Sequence, residues 1–427
     1  MGNGGTWKCV LCLVVLPFFA GCASYVAGMR QMDAALAAGD PAAALKALAP
    51  LDGGHDQALY LLDKAMILRM QGEYSASTDA FEKAKRLMYT LEATSVTETA
   101  AALTLSENLR SYEGALYERL LLHVYETLNY LQMGDTDDAG VEMRQVDVLL
   151  RRLYPDTDAA PQGGDAFARY LAGLMYEDAG DWSDAMIAYR KAYEAYQRDG
   201  VPDAAIPPGL QLSLCRFADY LGLDKERDEY RQRFGITQWP PVAPPGGDPD
   251  GQLVFIFSNG LAPAKIAVTQ LAPYGNRTFS ISLPALQRRP PLADAAVISI
   301  DGQTVTTHQV ENVAEDASRA LAAKMPKLIA DEVARNVARN AAAHAADNRS
   351  RGTGALLSFI GAIVDRADTR IWNTLPDNIQ MARLRLPPGT YTLKVSLDGR
   401  AAGSREFDDV TIRAGRITFA AWHAVTY

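Results

Sequence analysis

Histidine and cysteine, the side chains that most often hold metals or form cross-links, are scarce: five and four among 427 residues. His55, His123, His308, His344 and His423 are scattered without metal-ligand spacing. The chain also lacks His-Glu-x-x-His, Gly-x-Ser-x-Gly, a phosphate-binding loop and a dinucleotide fingerprint. With those patterns missing, the sequence names no metal, no cofactor and no catalytic residue, and the expectation is a protein that is not an enzyme. Positive charge is not in excess: 42 Lys+Arg face 51 Asp+Glu, a net charge of −9, which argues against nucleic acid as a partner. Apart from one stretch at the start there is no long apolar run, which excludes a multi-span membrane protein. What remains, 48% hydrophobic and 22% charged residues, is an ordinary globular composition, long enough for two or three domains.

The apolar stretch at the start covers residues 9–20 behind Lys8. It has the length of a signal-peptide core and is too short to cross a bilayer. Ala20-Gly21 before Cys22 resembles a bacterial lipobox, with Phe19 where such motifs usually carry leucine. The resemblance implies that residues 1–21 are a cleaved signal peptide and that Cys22 is acylated on its sulfur and its new amine, a stable membrane anchor. Ala23 rather than aspartate follows, which in lipoproteins of Gram-negative bacteria favours the outer membrane. A signal cut elsewhere and an uncleaved anchor are the alternatives. Cleavage would discard Cys9 and Cys12 and leave Cys22 and Cys215, so no internal disulfide is expected. Cys215, within Leu212-Ser-Leu-Cys-Arg-Phe217, reads as a small buried hydrophobe.

Further on, a turn glycine followed by a helix with fixed apolar offsets recurs. Gly180, Ala185, Tyr189 and Ala192, with Gly173 and Tyr176 upstream, resemble the tetratricopeptide repeat. Gly72, Tyr74, Phe81 and Ala84 repeat the pattern, Gly134 and Gly39 more weakly. Such pairs cannot bury their apolar faces alone, so they stack into a solenoid. The turn glycines at 39, 72, 134 and 180 are unevenly spaced; residues 90–115 read as an extra helix or insertion, and 210–234 as a terminal helix pair. A generic helical bundle is the alternative.

Residues 238–251 are rich in Pro and Gly and read as a linker. The expected domains are therefore residues 22–237, the lipidated N-terminus with helical repeats, and 252–427. From residue 251 onward the chain carries 20 Lys+Arg and 15 Asp+Glu, net +5; the rest carries 42 − 20 = 22 and 51 − 15 = 36, net −14. That asymmetry favours docking of the two parts on each other or on different partners. Strand patterns follow: Leu253–Phe257, Thr278–Leu283, Ala296–Ile300, a hairpin through Asp301-Gly302, Met381–Leu386, Tyr391–Leu397, Val410–Ile412 and Arg416–Trp422. Seven or more short strands point to a β-sandwich-like domain. A helical insertion over about 311–370 interrupts it. There Leu321, Met325, Ile329, Val333 and Val337 recur every four residues, with Leu328 widening the stripe. Residues 355–364 read as a second, strongly apolar helix, for which core, lipid-facing and partner-binding roles are all open. The fold class is thus multidomain α + β, an all-α solenoid followed by a sandwich-like domain.

The order of lipobox, irregular repeats, Pro-rich linker and β-domain resembles a family of bacterial envelope lipoproteins. The marks are Asn259-Gly-Leu-Ala-Pro-Ala-Lys265 and Ala367-Asp-Thr-Arg-Ile-Trp-Asn-Thr-Leu-Pro376. The resemblance implies location and fold and carries no activity. Asp365, Arg366, Asp368 and Arg370 cluster beside Trp372. The readings there are loop ordering with Trp372 packed, a binding surface, or a catalytic carboxylate pair; Lys265 is either structural or part of the same surface. The expected function is a protein–protein interaction scaffold. It would be lipid-anchored on the periplasmic face of the outer membrane and bind protein partners of the cell envelope along the concave face of the solenoid. A component of a lipid, polysaccharide or peptidoglycan assembly or secretion system, acting through helix 355–364, is the alternative, and an envelope enzyme the third.

Overall fold

The computed structural model describes residues 29–53, 56–95, 112–153, 163–243, 247–274, 277–347, 367–400 and 403–425. The signal stretch, Cys22, the insertion over 96–111 and the apolar segment 355–364 lie outside the described residues.

The first half is helical: α1 (29–37), α2 (Pro41–Leu48), α3 (Gln57–Met70), α4 (Tyr74–Ser95), α5 (Leu116–Met133), α6 (Thr136–Leu153), α7 (Ala166–Ala179), α8 (Trp182–Arg198), α9 (Pro208–Tyr220) and α10 (Asp224–Phe234). They pair as antiparallel hairpins. Each hairpin closes the same way, on a glycine at positive φ: Gly39, Gly72, Gly134, Gly180 and Gly222. In each, the glycine N–H donates three residues back and the next N–H donates five back, as in Gly180→Glu177 and Asp181→Tyr176. A Cβ resists that left-handed conformation, which is why glycine stands there. The fivefold recurrence is structural evidence of a repeat, independent of the uneven sequence spacing.

Burial alternates along the hairpins. On α3 and α5 nearly every residue is buried, over Ala58–Leu68 and Tyr117–Asn129, so these helices are covered on all sides. By contrast α6 and α8 expose Val141, Val148 and Ile187. The odd-numbered helices form an inner row and the even ones an outer row. Cys215 on α9 is fully buried, and burial pushes its thiol up to about 11.

The second half contains β1 (Gly251–Asn259), β2 (Ala264–Tyr274), β3 (Arg277–Gln287), β4 (Ala293–Ile300), β5 (Gln303–Thr306), β6 (His308–Glu311), α11 (Val313–Asp347), β7 (Asn378–Leu386), β8 (Gly389–Gly399), β9 (Ser404–Ile412) and β10 (Ile417–Ala424). The described strands form a sheet β10-β1-β7-β6, a second sheet β5-β4-β8-β9 and a ribbon β2-β3. Asp301 and Gly302 have φ of 48° and 73° and turn β4 into β5, with Ile300 opposite Gln303.

Strand β1 explains how the halves meet. Leu253, Phe255 and Phe257 face a core shared with Ile298 of β4 and Val395 of β8. Val254 and Ile256, on the other face, join the core of the helical half together with Ile379 and Met381 of β7. An unbroken apolar run is what a strand covered on both faces requires. The segment between the halves packs as well: Val242 is buried in the helical core and the Trp239 indole donates to Asp219 at 3.1 Å.

Three readings are corrected. Strand β2 was not foreseen, because Pro263, Pro273 and Pro284 punctuate that stretch; a two-stranded ribbon leaves each strand one free edge, where proline is tolerated. On α11 the stripe does not stay buried. Leu321 and Met325 are half-buried, but Ile329, Val333 and Val337 are 44%, 48% and 61% exposed, while Leu328 and Glu332 are buried. A four-residue step overshoots a helical turn by about 40°, so four steps carry the stripe roughly 160° around the axis. The helix itself covers Val313–Asp347, and residues 367–372 are irregular rather than helical.

Candidate functional site

The inner row of helices, where the sequence placed a partner, is covered by the chain itself. Residues 367–377 thread along the inner row. Trp372 is fully buried, edge-on to Phe81 of α4 (ring centroids 5.8 Å apart) and to Tyr125 of α5 (6.4 Å). Its backbone N–H donates to Glu118 at 2.8 Å and its indole N–H to the Thr374 hydroxyl at 3.0 Å. Thr374 in turn donates its amide and hydroxyl to one oxygen of Asp63, at 3.1 and 2.9 Å. Burial pushes the Asp63 carboxyl up to about 7, against the lowering effect of those two bonds.

That shift has a sign. A carboxyl that keeps its proton longer folded than unfolded, where it titrates near ~3.9, costs stability as pH rises from about 4 through 7. Asp63→Asn keeps the acceptor oxygen and cannot ionise. Relative to the unsubstituted protein it should gain up to ~1 kcal/mol per pH unit across that window, read by urea unfolding at pH 4 and pH 7; parallel curves would show that Asp63 does not titrate there.

Around this wedge the sequence-marked cluster acts as a clasp. Arg370 grips Asp368 with Nε and Nη2, both at 2.9 Å, and reaches Asp56 of the helical half at 3.2 Å. The Lys265 ammonium donates to the Arg370 carbonyl at 2.8 Å. Burial raises the Asp368 carboxyl, but the Arg370 hydrogen bonds and charge outweigh it and hold it below its ordinary value. Asp365 and Arg366 lie outside the described residues. At the other end of the seam Glu177 of α7 accepts from Arg216 at 3.1 Å, Gln252 at 2.9 Å, Arg383 of β7 at 3.2 Å and the Tyr189 hydroxyl. Tyr125 and Ser258 hydroxyls meet at 3.0 Å, Gln132 donates to the Phe419 carbonyl and Tyr196 to that of Val310.

The repeat residues stand as follows. Gly72 and Gly180 occupy the left-handed turns. Phe81, Ala84, Ala185, Tyr189 and Ala192 are fully buried, and Gly173 lies directly against the Tyr189 ring, where a Cβ has no room. Tyr74 and Tyr176 are half-buried. Phe81 and Tyr189 do more than pack repeats: one holds Trp372, the other bonds Glu177. Sequence reasoning missed Asp63, Glu118, Glu177 and Arg383. Their signal is a charged residue inside an otherwise apolar face, as in Leu61-Leu-Asp63 and Met381-Ala-Arg383. It also missed that His123, Glu126 and Glu142 come together; His-x-x-Glu, three apart on one helix, was the visible half of that group.

With the inner face filled, the outer face carries a groove of about 360 Å³ between α6 and α8. Ala168, Ala172 and Tyr176 of α7 line it, Val148 and Ile187 flank it, and Arg144, Arg151, Arg169 and Lys191 stand around it with Asp147 and Asp184. Asp147 is shared by Arg169 at 3.0 Å and Lys191 at 3.4 Å, so positive charge prevails.

No family model and no curated protein matches the chain. Among solved structures it is similar to a tetratricopeptide repeat protein from Parabacteroides merdae ATCC 43184, with 14% identity and a TM-score of 0.31. That similarity covers 50% of this chain and 66% of the other, just under two thirds of its length. A likeness of that size identifies no activity.

Proposed function

We propose that this protein is a lipid-anchored interaction scaffold of the bacterial envelope, attached through Cys22 to the periplasmic face of the outer membrane. Its helical repeats and its sandwich-like β-domain act as one rigid body. The partner binds on the outer face, in the groove between α6 and α8, rather than in the concave face. The observation that carries this reading is the covered inner row: Trp372 is wedged against it, while Val148 and Ile187 remain 49% and 45% exposed beside a groove floored in part by Ala168 and Ala172. The apolar flanks and prevailing positive charge fit an amphipathic helix with acidic flanks, laid between two helices as a third.

A photo-reactive side chain at Ile187 tests it in intact cells. The expected result is one discrete adduct in the membrane fraction, lost on Val148→Glu and on Arg151→Glu with Lys191→Glu, while Cys22→Ser moves the chain out of the membrane fraction. An adduct indifferent to those substitutions, or none, would refute the groove; membrane retention of the Cys22→Ser chain would refute the anchor.

A further inference from the structure

A buried polar group between α4, α5 and α6 belongs neither to the seam nor to the outer groove. His123 and Glu126, three residues apart on α5, share one helical face. Glu142 projects from α6, and Lys85, Glu82 and Tyr89 come from α4. One ligand atom from each of His123, Glu126 and Glu142 lies within 4.8 Å of the others, and all three side chains are buried. The His123 Nδ1 is 2.8 Å from Glu142, and its Nε2 is 3.3 Å from the Tyr89 hydroxyl.

Lys85 lies among these carboxylates, 3.0 Å from Glu126, 2.9 Å from Glu142 and 2.7 Å from Glu82. Its charge does not suffice. Glu82 also faces the exposed Arg86 at 3.5 Å, which leaves one ammonium between two buried carboxylates. The other oxygen of Glu126, on a side chain with no exposure, has no hydrogen-bond partner. A buried acceptor without a partner is costly and calls for a proton or a cation. Burial and the charge of Glu142 do push the Glu126 carboxyl upward, toward its protonated form.

We propose that His123, Glu126 and Glu142 form a binding site for a divalent transition-metal ion, taken up when the Lys85 ammonium pivots outward onto Glu82. One imidazole nitrogen and two carboxylates are the donor set of a zinc-class site. After the pivot, Lys85 balances Glu82, and Glu126 with Glu142 supply the two charges that a divalent ion neutralises. In the tautomer that carries its proton on Nε2, His123 donates to the Tyr89 hydroxyl and presents a bare Nδ1 to the metal, the orienting role that outer partners play for ligating histidines. Glu82 is half-exposed while Glu126 and Glu142 are buried, which makes the Glu82 side of the group the solvent side, where an ion enters.

The test is calorimetric titration of the full chain in detergent with Zn²⁺, in a Cys9→Ser, Cys12→Ser background so that this thiol pair holds none. One ion per chain is expected. It should bind with release of at least one proton near pH 7, read from two buffers of different ionisation enthalpy, because the buried Glu126 carboxyl, pushed toward its protonated form, must shed its own. Glu126→Gln, nearly isosteric, should weaken binding at least about tenfold, and Lys85→Met should tighten it by a similar factor. Circular dichroism checks that each variant is folded; if one is not, the proton count on the unsubstituted site decides. Absence of one-site binding, binding without proton release, binding unchanged in Glu126→Gln, or binding seen only with Lys85→Met would overturn the proposal. The last outcome would make Lys85 a permanent occupant.

Discussion

Trp372→Ala lowers the stability of the folded chain by about 3–5 kcal/mol and separates its unfolding into two transitions. The size follows from full burial: the indole touches Phe81 and Tyr125 on the helical side while its own backbone comes from the β-half. Truncation removes the aromatic surface and leaves a cavity between rigid helices, and such walls collapse only in part. It also frees the Thr374 hydroxyl from its indole donor. The second effect follows from position. One hydrophobic core runs from Met32 through Trp372 to Ile417, so the unsubstituted protein should unfold in one cooperative step. Without the wedge, the halves meet through a smaller shared core around Val254, Ile256, Ile379 and Met381, beside the second core that the β-half keeps to itself. Scanning calorimetry reads both effects, and Trp372→Phe, which refills most of the space, should lose less. A single transition with an unchanged midpoint for Trp372→Ala would show that the seam does not depend on the wedge.

Glu177→Gln is the second large effect, about 3–5 kcal/mol at neutral pH. Glutamine keeps the shape but not the charge, so the buried guanidinium of Arg383 and that of Arg216 lose their shared anion. Burial raises the Glu177 carboxyl, yet Arg383 and Arg216 outweigh it and hold it at about 2. Unfolded, the same carboxyl titrates near ~4.3. A depressed folded value means the stabilisation is complete above about pH 4.5 and is lost as pH falls through about 2. The difference between the unsubstituted chain and Glu177→Gln should therefore shrink by about 3 kcal/mol between pH 5 and pH 2, read by urea unfolding across that range. A difference independent of pH would assign the loss to packing rather than charge. Asp63 gives the opposite slope in its own window, so the two positions separate in one pH series.

What the sequence made legible was local. Turn glycines and offset apolar residues mark hairpins, because each hairpin closes within six residues. The run Leu253–Phe257 marks a strand covered on two faces, because alternation disappears when both faces are buried. The cluster at Asp368, Arg370 and Trp372 was visible as unusual chemistry, but its meaning was not: its partners Asp56, Asp63 and Glu118 lie some 250 to 310 residues away. The apolar stripe of α11 misled because equal spacing by four is not equal orientation. The charge asymmetry proved more literal than expected. The described ion pairs across the seam, Asp33–Arg289, Asp56–Arg370, Glu177–Arg383, Asp178–Arg416 and Asp199–Arg319, all put the carboxylate on the helical half and the cation on the other. Net charges of −14 and +5 are in part the trace of an interface internal to the chain.

The parallel pairing of β1 with β10 has a consequence in time. Gln252 sits beside Ile417 and Asn259 beside Ala424, so the sheet that covers the inner helices waits for a strand made long after β1. During synthesis the helical hairpins are complete long before their cover exists. The nascent chain must carry an open apolar trough, a surface of the kind chaperones and aggregation compete for. Closing it requires contacts among the most distant in sequence, which are slow to form. A frameshift or early stop after residue 400 should therefore yield not a slightly shortened protein but a sticky helical intermediate that never reaches its finished state.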